Sequence, residues 1–430
     1  MIKRVALAAG VVLAVSRLEA ATCYSFVGGS QTSRSLYVIG NSGKQNVVVD
    51  LAAATTVLHL DCNGDGDFTD AGDVDGVDQG KMDGLELQLA GADVIRVNLA
   101  GSLTAADSKT IKVRLGPGNN VFDVIGTGAF DVGANARVQV DVAGGPGVDK
   151  PTLDFSQLNV LGAILLRAEL AGGSDVMVVK SPSLASGGLF SVDAILGPGA
   201  NSFTYADGPR APDSTERVDV QGDTGPDTVR LGYAHRSEGR RTFTVDLGAG
   251  NDTLAADFDL TGFSLGPRQP LHLTVNGGPG NDTLSVGRNG TAGPAQAENA
   301  VELDLNGGPG NDTINVDFAG GGFDFENGGG ERLRIDGGNG ADTINVALDS
   351  TTGTTAIHDV SISGGALADK ISFTQNTGGA GAHSWLGGAA LVDGSFGAPD
   401  SCTVSGNAAA NARKRNCELQ PAARPGPTAP

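Results

Sequence analysis

Aspartates that close glycine-rich turns are the residues of this chain whose type and spacing could do chemistry. The stretch LHLTVNGGPGNDTLSV contains one such turn, closed by Asp282, and VELDLNGGPGNDTINV repeats it 30 residues later at Asp312. Related turns are closed by Asp252 and Asp342. Carboxylates and main-chain carbonyls are hard oxygen donors, the ligands that Ca²⁺ takes in proteins. The pattern therefore points to cation binding, provided that the fold brings the turns together.

The same turn recurs along most of the chain when its copies are aligned on the final Asp or Asn. Neighbouring positions are 25–30 residues apart, and a near-constant period of this size is the signature of a repeat protein. Alternating aliphatic residues flank each turn, which predicts a strand, a corner and a second strand. The eleven positions of this aspartate column are Asp93, Asn120, Asp149, Asp175, Asn201, Asp227, Asp252, Asp282, Asp312, Asp342 and Asp369.

Such small units cannot bury an apolar face alone, whereas stacked units share a continuous core. We therefore predict an all-β fold, a parallel β-helix or β-solenoid of about eleven coils. Tandem small antiparallel β-sandwiches are the alternative, and the steady spacing of one turn type disfavours them. One predicted core column, two residues after each motif Asp, consists of Val229, Leu254, Leu284, Ile314, Ile344 and Ile371.

Composition favours strands and excludes some partners. Gly accounts for 67 of the 430 residues and aromatic residues for 5%, which suits many tight turns between Val-, Leu- and Ile-rich strands. The formal net charge is −20, and a carboxylate surplus of this kind repels nucleic acid and anionic membranes. Nucleic acid is therefore not an expected partner, whereas a divalent cation would relieve the charge.

The segments GGPGNDTLS, GGPGNDTIN and GGNGADTIN resemble the RTX, or haemolysin-type, calcium-binding nonapeptide G-G-x-G-x-D-x-U-x, where U is a large aliphatic residue. The resemblance is close over 276–346 and partial over 243–256. It implies a parallel β-roll in which turn carbonyls and aspartates of stacked coils hold calcium. The implied ligands are Gly277, Gly278, Gly280 and Asp282, then Gly307, Gly308, Gly310 and Asp312, then Gly337, Gly338, Gly340 and Asp342, and Asp252 from the partial match.

One departure from that family limits the number of ions. The family's nonapeptides are contiguous, whereas 16–21 other residues separate the copies here, so the resemblance implies at most one row of ions. In-register stacking would place the aspartates about 4.8 Å apart, where like charges repel by roughly 3 kcal/mol per pair. Calcium between adjacent turns would remove this repulsion. Alternatively, Asp and Asn only stabilise turns, which Asn120 and Asn201 favour for the earlier coils.

A second acidic stretch, DCNGDGDFTDAGD, begins at residue 61 and carries oxygen donors at alternate positions before Gly66. It resembles the start of an EF-hand-type calcium loop, D-x-[DN]-x-[DN]-G. Gly72 stands where that family has its bidentate glutamate, so an aspartate would have to close the shell. Strand-like flanks predict a calcium loop without helices, and a solvated acidic loop is the alternative. The implied ligands are Asp61, Asn63, Asp65, Asp67, Asp70 and Asp73.

The first residues predict export. Lys3 and Arg4 precede an apolar run from Val5 to Val15, the layout of a secretory signal peptide cleaved near Ala20 or Ala21. The apolar run is too short for a transmembrane helix. We therefore expect a mature chain without a membrane span, either secreted or at the cell surface.

Four cysteines occur as two near the front, Cys23 and Cys62, and two near the end, Cys402 and Cys417. In an oxidising compartment this suggests a disulfide clip at each terminus, although four cysteines allow three pairings. The predicted organisation is a signal peptide at 1–21, an N-terminal cap with the acidic loop at 22–84, solenoid repeats at 85–375, a disulfide-bonded C-terminal cap at 376–417 and a tail at 418–430.

These features together predict an exported, calcium-binding β-solenoid with a structural, adhesive or cell-surface role and no catalytic activity. Ca²⁺ is the predicted cofactor, and an extracellular glycan or another surface protein is the predicted class of partner. The alternative is a polysaccharide-degrading parallel β-helix enzyme, a lyase or hydrolase. Such an enzyme should show aromatic platforms and clustered Arg or Lys, whereas this chain has one Trp and four Tyr.

Overall fold

A computed structural model describes most of the chain between residues 23 and 417. The regular elements in this part are all β-strands, and none of its segments forms a helix that is long and apolar enough to cross a membrane. The predicted signal peptide and the predicted tail lie outside the described residues. The described residues are 23–30, 33–70, 73–104, 107–127, 131–235, 238–259, 271–289, 295–297, 301–318, 323–325, 330–350, 357–377, 384–385, 391–397, 400–406 and 413–417.

Two large sheets make up the structure. The first, called sheet 1, has 18 strands. They are β1 (Tyr24–Gly29), β2 (Arg34–Ile39), β6 (Gly84–Gln88), β8 (Ser108–Arg114), β11 (Arg137–Ala143), β14 (Ala163–Glu169), β17 (Leu189–Ile195), β19 (Thr215–Gln221), β21 (Arg240–Asp246), β23 (Leu271–Asn276), β26 (Val301–Pro309), β29 (Gly330–Asn339), β31 (Ile357–Ser363), β32 (Ala366–Leu367), β34 (Ser384–Trp385), β35 (Leu391–Asp393), β36 (Phe396–Gly397) and β38 (Arg413–Arg415).

The second, called sheet 2, has 15 strands. They are β3 (Asn46–Ala52), β4 (Thr56–Asp61), β5 (Val74–Asp78), β7 (Val94–Ala100), β9 (Asn120–Gly126), β12 (Asp149–Asp154), β15 (Val176–Lys180), β18 (Ser202–Ala206), β20 (Thr228–Tyr233), β22 (Thr253–Asp259), β24 (Thr283–Asn289), β27 (Thr313–Phe318), β30 (Thr343–Ser350), β33 (Lys370–Thr377) and β37 (Ser401–Gly406). Two small sheets contain β10 (Asp131–Val132), β13 (Asn159–Val160) and β16 (Ser183–Leu184), and β25 (Ala295–Ala297) and β28 (Phe323–Phe325).

The chain winds between the two sheets as a parallel β-solenoid, which confirms the predicted fold class. A strand of sheet 1 leads through a glycine-rich corner to a strand of sheet 2, and the next coil repeats the path one strand further along. Thus β23 pairs in parallel with β26, and β24 pairs in parallel with β27. The number of coils differs slightly from the eleven predicted.

Alternation in each strand places one set of side chains in the core and the other on the surface. In β9 the buried and half-buried residues strictly alternate, as expected for a pleated strand with one face inside. The predicted core column is confirmed, because its members pair in register from Val229 to Ile371 and are at most 1% exposed. Burial of each such side chain contributes roughly 1.5–3 kcal/mol.

Antiparallel strands occur at the N-terminal end of the stack, and a disulfide lies near each terminus. At the N-terminal end, β1 is antiparallel to β2, β4 to β3, and β5 to β4. The cysteines form one bond near each terminus, Cys23–Cys62 and Cys402–Cys417, with Cα–Cα distances of 5.8 and 5.5 Å. The two terminal clips are therefore confirmed. Parallel pairing of β3 with β7 and of β33 with β37 extends the stacking beyond residues 85–375.

Candidate functional site

The aspartate column lies along one inner corner of the solenoid, and its side chains interlock the coils. All eleven members are 0–2% exposed. The backbone N–H of Asp252 donates to Oδ1 of Asp282 at 2.8 Å, and that of Asp312 donates to Oδ1 of Asp342 at 2.7 Å. The same bond joins Asp369 to Asp400. The alignment of turns missed Asp400 because Gly394 and Gly397 precede it by six and three residues, one more than the corresponding glycines of the motif. Each carboxylate thus ties its coil to the preceding one.

The asparagines that precede the aspartates form a second row with the opposite direction. The N–H of Asn281 donates to Oδ1 of Asn251 at 2.8 Å, and the N–H of Asn311 donates to Oδ1 of Asn281 at 2.7 Å. The N–H of Ala341 continues the row to Asn311 at 2.8 Å. In this row the later coil donates to the earlier one. An Asn-Asp dipeptide therefore binds its coil to both neighbouring coils, which explains why the motif repeats the pair N-D.

Glycine is required in the motif because the coils approach closely at the corner. A methyl group at Gly277 would lie 2.6 Å from Oδ2 of Asp282 and 2.4 Å from the carbonyl oxygen of Gly307. Gly280 has a φ of +157°, and a methyl group there would lie 1.3 Å from the carbonyl oxygen of Gly250. Both contacts exclude any larger side chain. The first and third glycines of G-G-x-G-x-D are thus dictated by stacking.

The second carboxylate oxygen of most column residues is buried without a hydrogen-bond partner. Asp149 is different, because its Oδ2 accepts the N–H of Gly145 at 2.8 Å. A buried acceptor that stays unpaired destabilises its charged form. The unpaired oxygens are Oδ2 of Asp93, Asp175, Asp227, Asp252, Asp282, Asp312, Asp342, Asp369 and Asp400.

Burial raises the pKa values of the unpaired column carboxyls from Asp93 to Asp369 above the ordinary value for aspartate. It raises the pKa of Asp282 and of Asp342 to about 7, and hydrogen bonds from the preceding coil offset part of the effect. Burial also raises the pKa to about 6 for four other members, which are Asp93, Asp175, Asp227 and Asp369. Protons are therefore held in this corner up to nearly neutral pH.

The corner brings the sequence-predicted calcium ligands into one row and gives them different surroundings. Oδ2 of Asp282 and the carbonyl oxygen of Gly307 both lie beside the Cα of Gly277, and the same arrangement recurs at Asp312 with Gly337. Both atoms are hydrogen-bond acceptors, so neither can satisfy the other without a proton or a cation. The carbonyls of Gly278, Gly280, Gly308 and Gly310 instead face glycine Cα atoms of the next coil. Calcium in the row from Asp252 to Asp342 stays a prediction.

The acidic loop is ordered around the buried Asp61. Its Oδ1 accepts the N–H groups of Asn63 at 3.1 Å and Gly64 at 2.6 Å, and its Oδ2 accepts those of Gly66 at 2.8 Å and the Asn46 amide at 2.7 Å. Burial acts to raise the pKa of Asp61, but these hydrogen bonds outweigh it and the pKa is lowered. Asp61 is therefore a carboxylate that holds the loop in shape.

Successive side-chain-to-backbone turns then coil the loop. Oδ1 of Asn63 accepts the backbone N–H of Asp65 at 3.0 Å. In the same way, Oδ1 of Asp65 accepts the N–H of Asp67 at 2.8 Å, and Oδ1 of Asp67 accepts the N–H of Thr69 at 2.9 Å. In such turns the side chain of an Asx residue accepts the backbone N–H two residues further on. The Asn63 amide nitrogen lies 3.1 Å from Oδ2 of Asp65 and 3.0 Å from Oδ2 of Asp70. Two exposed carboxylates therefore converge on a single amide.

The end of the loop is fixed to the solenoid. Oδ1 of Asp73 accepts the N–H of Cys62 at 2.9 Å, and its Oδ2 is buried and unpaired. Cys62 is in turn linked to Cys23. The loop thus brings together the side chains of Asn63, Asp65 and Asp70, while Asp61 binds the loop backbone and Asp67 turns toward Thr69. In the described part of the chain, no three or more His, Cys, Asp or Glu side chains are grouped closely enough to hold a metal ion.

A buried charged cluster was not predicted. Glu216 and Arg241 pair in register in an inward column whose members in the two preceding coils are Ile164 and Phe190, and both are 0% exposed. Glu216 forms ion pairs with Arg210 and with Arg241. The alternation of inward and outward residues in a strand could have located them. Glu216 lies two residues before the inward Val218, and Arg241 lies two residues before the inward Phe243.

The charges of this cluster offset one another. Arg241 Nη1 lies 2.8 Å from Oδ2 of Asp207, and Nδ1 of His235 lies 2.9 Å from Oδ1 of Asp207. Burial acts to raise the pKa of Asp207, but Arg241 and His235 outweigh it and the pKa is lowered. Two guanidinium groups thus face two carboxylates inside the solenoid. Desolvation offsets much of the attraction within such a network, whereas removal of one partner leaves a buried charge without compensation.

The outer face of sheet 1 carries two shallow grooves with mixed charge. In one, Lys112, Asp141 and Arg167 occupy successive strands in register. In the other, Arg332 contacts Glu302 at 2.8 Å and Nδ1 of His272 lies 2.6 Å from Glu302. Exposed pairs like these are worth about 0–1 kcal/mol each. The cations on this face are interleaved with acids.

Comparison of the chain with protein-family models, with curated proteins and with solved structures gives no match. The resemblances to the RTX nonapeptide and to the EF-hand-type loop therefore rest on the residues quoted above.

Proposed function

We propose that this protein is an exported, calcium-binding β-solenoid with a structural or adhesive role outside the cell or at its surface. A parallel stack with terminal disulfides supports a rigid extracellular element, because disulfides persist in oxidising compartments. The observation that carries the calcium part is the acidic loop, in which Asp65 and Asp70 converge on the amide of Asn63.

Calcium chemistry suits this loop for two reasons. Two carboxylates that face one amide repel each other, and a hard cation between them replaces this repulsion by attraction. The chain of turns from Asp61 to Thr69 has already ordered the backbone, so binding costs little conformational entropy. Asp65 and Asp70 are the proposed carboxylate ligands, and Asn63 would join them by turning its amide so that Oδ1 replaces the nitrogen between them. The other implied ligands, Asp61, Asp67 and Asp73, would complete or position the shell.

The aspartate column has a structural role in this proposal. Its hydrogen bonds hold adjacent coils together whether or not an ion is present. Its unpaired Oδ2 atoms need a proton or Ca²⁺. Calcium in the family-like coils would supply the positive charge that compensates the buried carboxylates. Calcium is therefore proposed to tighten the stack from Asp252 to Asp342 in addition to ordering the loop.

Thermal melting of the chelated mature chain, residues 22–430, tests the calcium part when it is repeated with Ca²⁺ and with Mg²⁺. We expect Ca²⁺ to raise the melting temperature in a saturable way and Mg²⁺ to have a much smaller effect, because Mg²⁺ demands a compact octahedral shell. Identical melting in chelator and in Ca²⁺ would overturn the calcium proposal.

Export is tested separately by expressing the full chain in a bacterial host and sequencing the N-terminus of the protein that leaves the cytoplasm. Cleavage near Ala20 or Ala21 is the expected result, since a basic start and an apolar run precede these small residues. Full retention of the uncleaved chain in the cytoplasm would contradict the proposed location.

A further inference from the structure

The two ends of the solenoid carry charges of opposite sign. β5 is the outermost strand of sheet 2 at the N-terminal end, and within the described residues it pairs only with β4. β38 is the outermost strand of sheet 1 at the C-terminal end, and within that same part of the chain it pairs only with β35. In the part of the chain that the structure describes, each end thus has a strand with one unpaired edge, the kind of surface that recruits another strand or chain.

The N-terminal end is acidic. Asp75 and Asp78 on β5 are exposed, and the neighbouring loop adds the exposed Asp65, Asp67 and Asp70. The sequence has no Lys or Arg between positions 44 and 81. Asp75 contacts the imidazole of His59 at 2.8 Å, and two cations approach this end, with Arg34 beside Gly80 and Lys44 beside Gly64. The five exposed carboxylates outnumber these cations, so the end keeps a surplus of negative charge.

The C-terminal end is basic. β38 consists of Arg413, Lys414 and Arg415, and all three are exposed. Lys414 donates to the carbonyl oxygen of Cys402 at 3.1 Å, which keeps its charge at the edge. Two acidic residues lie near this strand within the described residues: Asp393, which is half-buried and pairs in register with Arg415, and Asp400, which is buried. A local surplus of cations therefore occurs at one end of a chain whose formal net charge is −20.

Charged edge strands normally prevent association, because like charges repel. Here two N-terminal ends repel each other and two C-terminal ends repel each other, whereas an N-terminal end attracts a C-terminal end. We propose that copies of this chain associate head to tail, the acidic end of one solenoid docking on the basic end of the next. A heterologous contact of this kind does not close on itself and produces linear filaments. This inference goes beyond the proposed function and does not depend on calcium.

Sedimentation velocity of chelated residues 22–430 at low and high salt tests the proposal. At low ionic strength we expect the weight-average mass to rise with protein concentration to at least twice the monomer mass. At about 1 M salt the screening length falls to about 3 Å, and the protein should sediment as a monomer. A monomer at every concentration in low salt would overturn the proposal.

Charge reversal provides the sharper test. Arg413→Glu/Lys414→Glu/Arg415→Glu makes both ends acidic, and Asp65→Lys/Asp75→Lys/Asp78→Lys makes both ends basic. Each variant alone should be monomeric, and an equimolar mixture should regain association because acidic and basic ends meet again. Recovery on mixing also shows that both variants are folded. Mixtures that stay monomeric although each variant keeps the circular dichroism spectrum of the parent chain would contradict the proposal.

A matched control changes the same number of charges away from the ends. Arg137, Arg167 and Arg217 are exposed on the middle strands β11, β14 and β19. The triple variant Arg137→Glu/Arg167→Glu/Arg217→Glu should associate like the parent chain. If this control loses association as fully as the end variants do, the contact is lateral or depends on net charge alone, and head-to-tail docking is wrong.

Discussion

Asp282 and Asp312 lie in adjacent coils, and the backbone N–H of Asp282 donates a hydrogen bond of 2.8 Å to Oδ1 of Asp312. The neighbouring asparagines make the reverse bond, from the N–H of Asn311 to Oδ1 of Asn281 at 2.7 Å. The two rows run in opposite directions along the stack. Each repeated N-D dipeptide therefore holds its coil from both sides, and only Oδ2 of the aspartate is left for a proton or an ion.

Asp312→Asn and Asp312→Ala should have different effects on stability. Asparagine keeps the Oδ1 acceptor, as the chain itself does at Asn120 and Asn201, so the free energy of unfolding should change little. Alanine removes the acceptor and leaves the buried N–H of Asp282 unpaired, at a cost of about 1–3 kcal/mol. Urea unfolding of both variants measures the difference. Equal losses of unfolding free energy in the two variants would show that the hydrogen bond to Oδ1 does not contribute to stability.

The chelated protein should become less stable as the pH rises toward neutrality. Burial raises the pKa of Asp282 and Asp342 to about 7, so the folded state binds more protons than the unfolded state between about pH 4 and pH 7. Stability is therefore lost as pH rises through this range. His235 acts in the same direction, because its hydrogen bond to Asp207 raises its pKa. Thermal melting from about pH 5 to pH 8 in chelator measures the slope.

Other carboxyls limit this effect on the acid side. The pKa values of Asp61, Asp154 and Asp207 are lowered in the folded protein despite burial, so their stabilisation is lost as pH falls below about 4. Asp282→Asn/Asp342→Asn should flatten the slope between pH 5 and pH 8, because these sites then no longer titrate. A melting temperature that rises with pH across this range in chelator would contradict the protonated column.

Glu216→Leu should destabilise the protein strongly although the new side chain is apolar. It removes the partner of the buried Arg210 and Arg241, and breaking a buried ion pair from one side costs about 3–5 kcal/mol. The exposed pair of Arg217 with Asp219 on the same strand is the control, and Arg217→Leu should change the free energy of unfolding by about 1 kcal/mol or less. Equal effects of the two changes in urea unfolding would contradict the account.

Sequence periodicity is sufficient to predict most of the fold. A constant turn spacing and alternation on both sides of the turn predict parallel stacking, and the core column from Val229 to Ile371 follows because each member lies at the same distance from its turn. The stacking at Gln45 and Asp400 could not be found in this way. Gln45 donates its N–H to Asp93, and the N–H of Asp369 donates to Asp400. Gln45 escaped the alignment because it is neither Asp nor Asn, and Asp400 because the glycines before it are displaced by one residue.

The orientation of the aspartates could not be predicted. A turn Asp can face outward to an ion or inward to a neighbouring N–H, and both roles use the same residue in the same place. The alternation of inward and outward residues along β19 and β21 does place Glu216 and Arg241 on the inward side. Charged residues are rarely fully buried unless they are paired, so the sequence alone does not favour their burial. Their neighbour Arg210 follows β18 of sheet 2, whereas Glu216 and Arg241 lie on strands of sheet 1. Their contact therefore depends on how the chain folds between the two sheets.

Isothermal titration calorimetry of Ca²⁺ into chelated residues 22–430 tests the central claim most directly. The parent chain should take up Ca²⁺ in a saturable way, and Asp65→Asn/Asp70→Asn should lose the loop's share of the uptake, since these carboxylates are the proposed ligands. Asp50→Asn/Asp123→Asn, on the outer face of sheet 2, should bind like the parent chain. Saturable uptake that is lost with Asp65 and Asp70 supports a calcium-binding solenoid. An absence of uptake by the parent chain, or uptake unchanged by the loop variant, would contradict it.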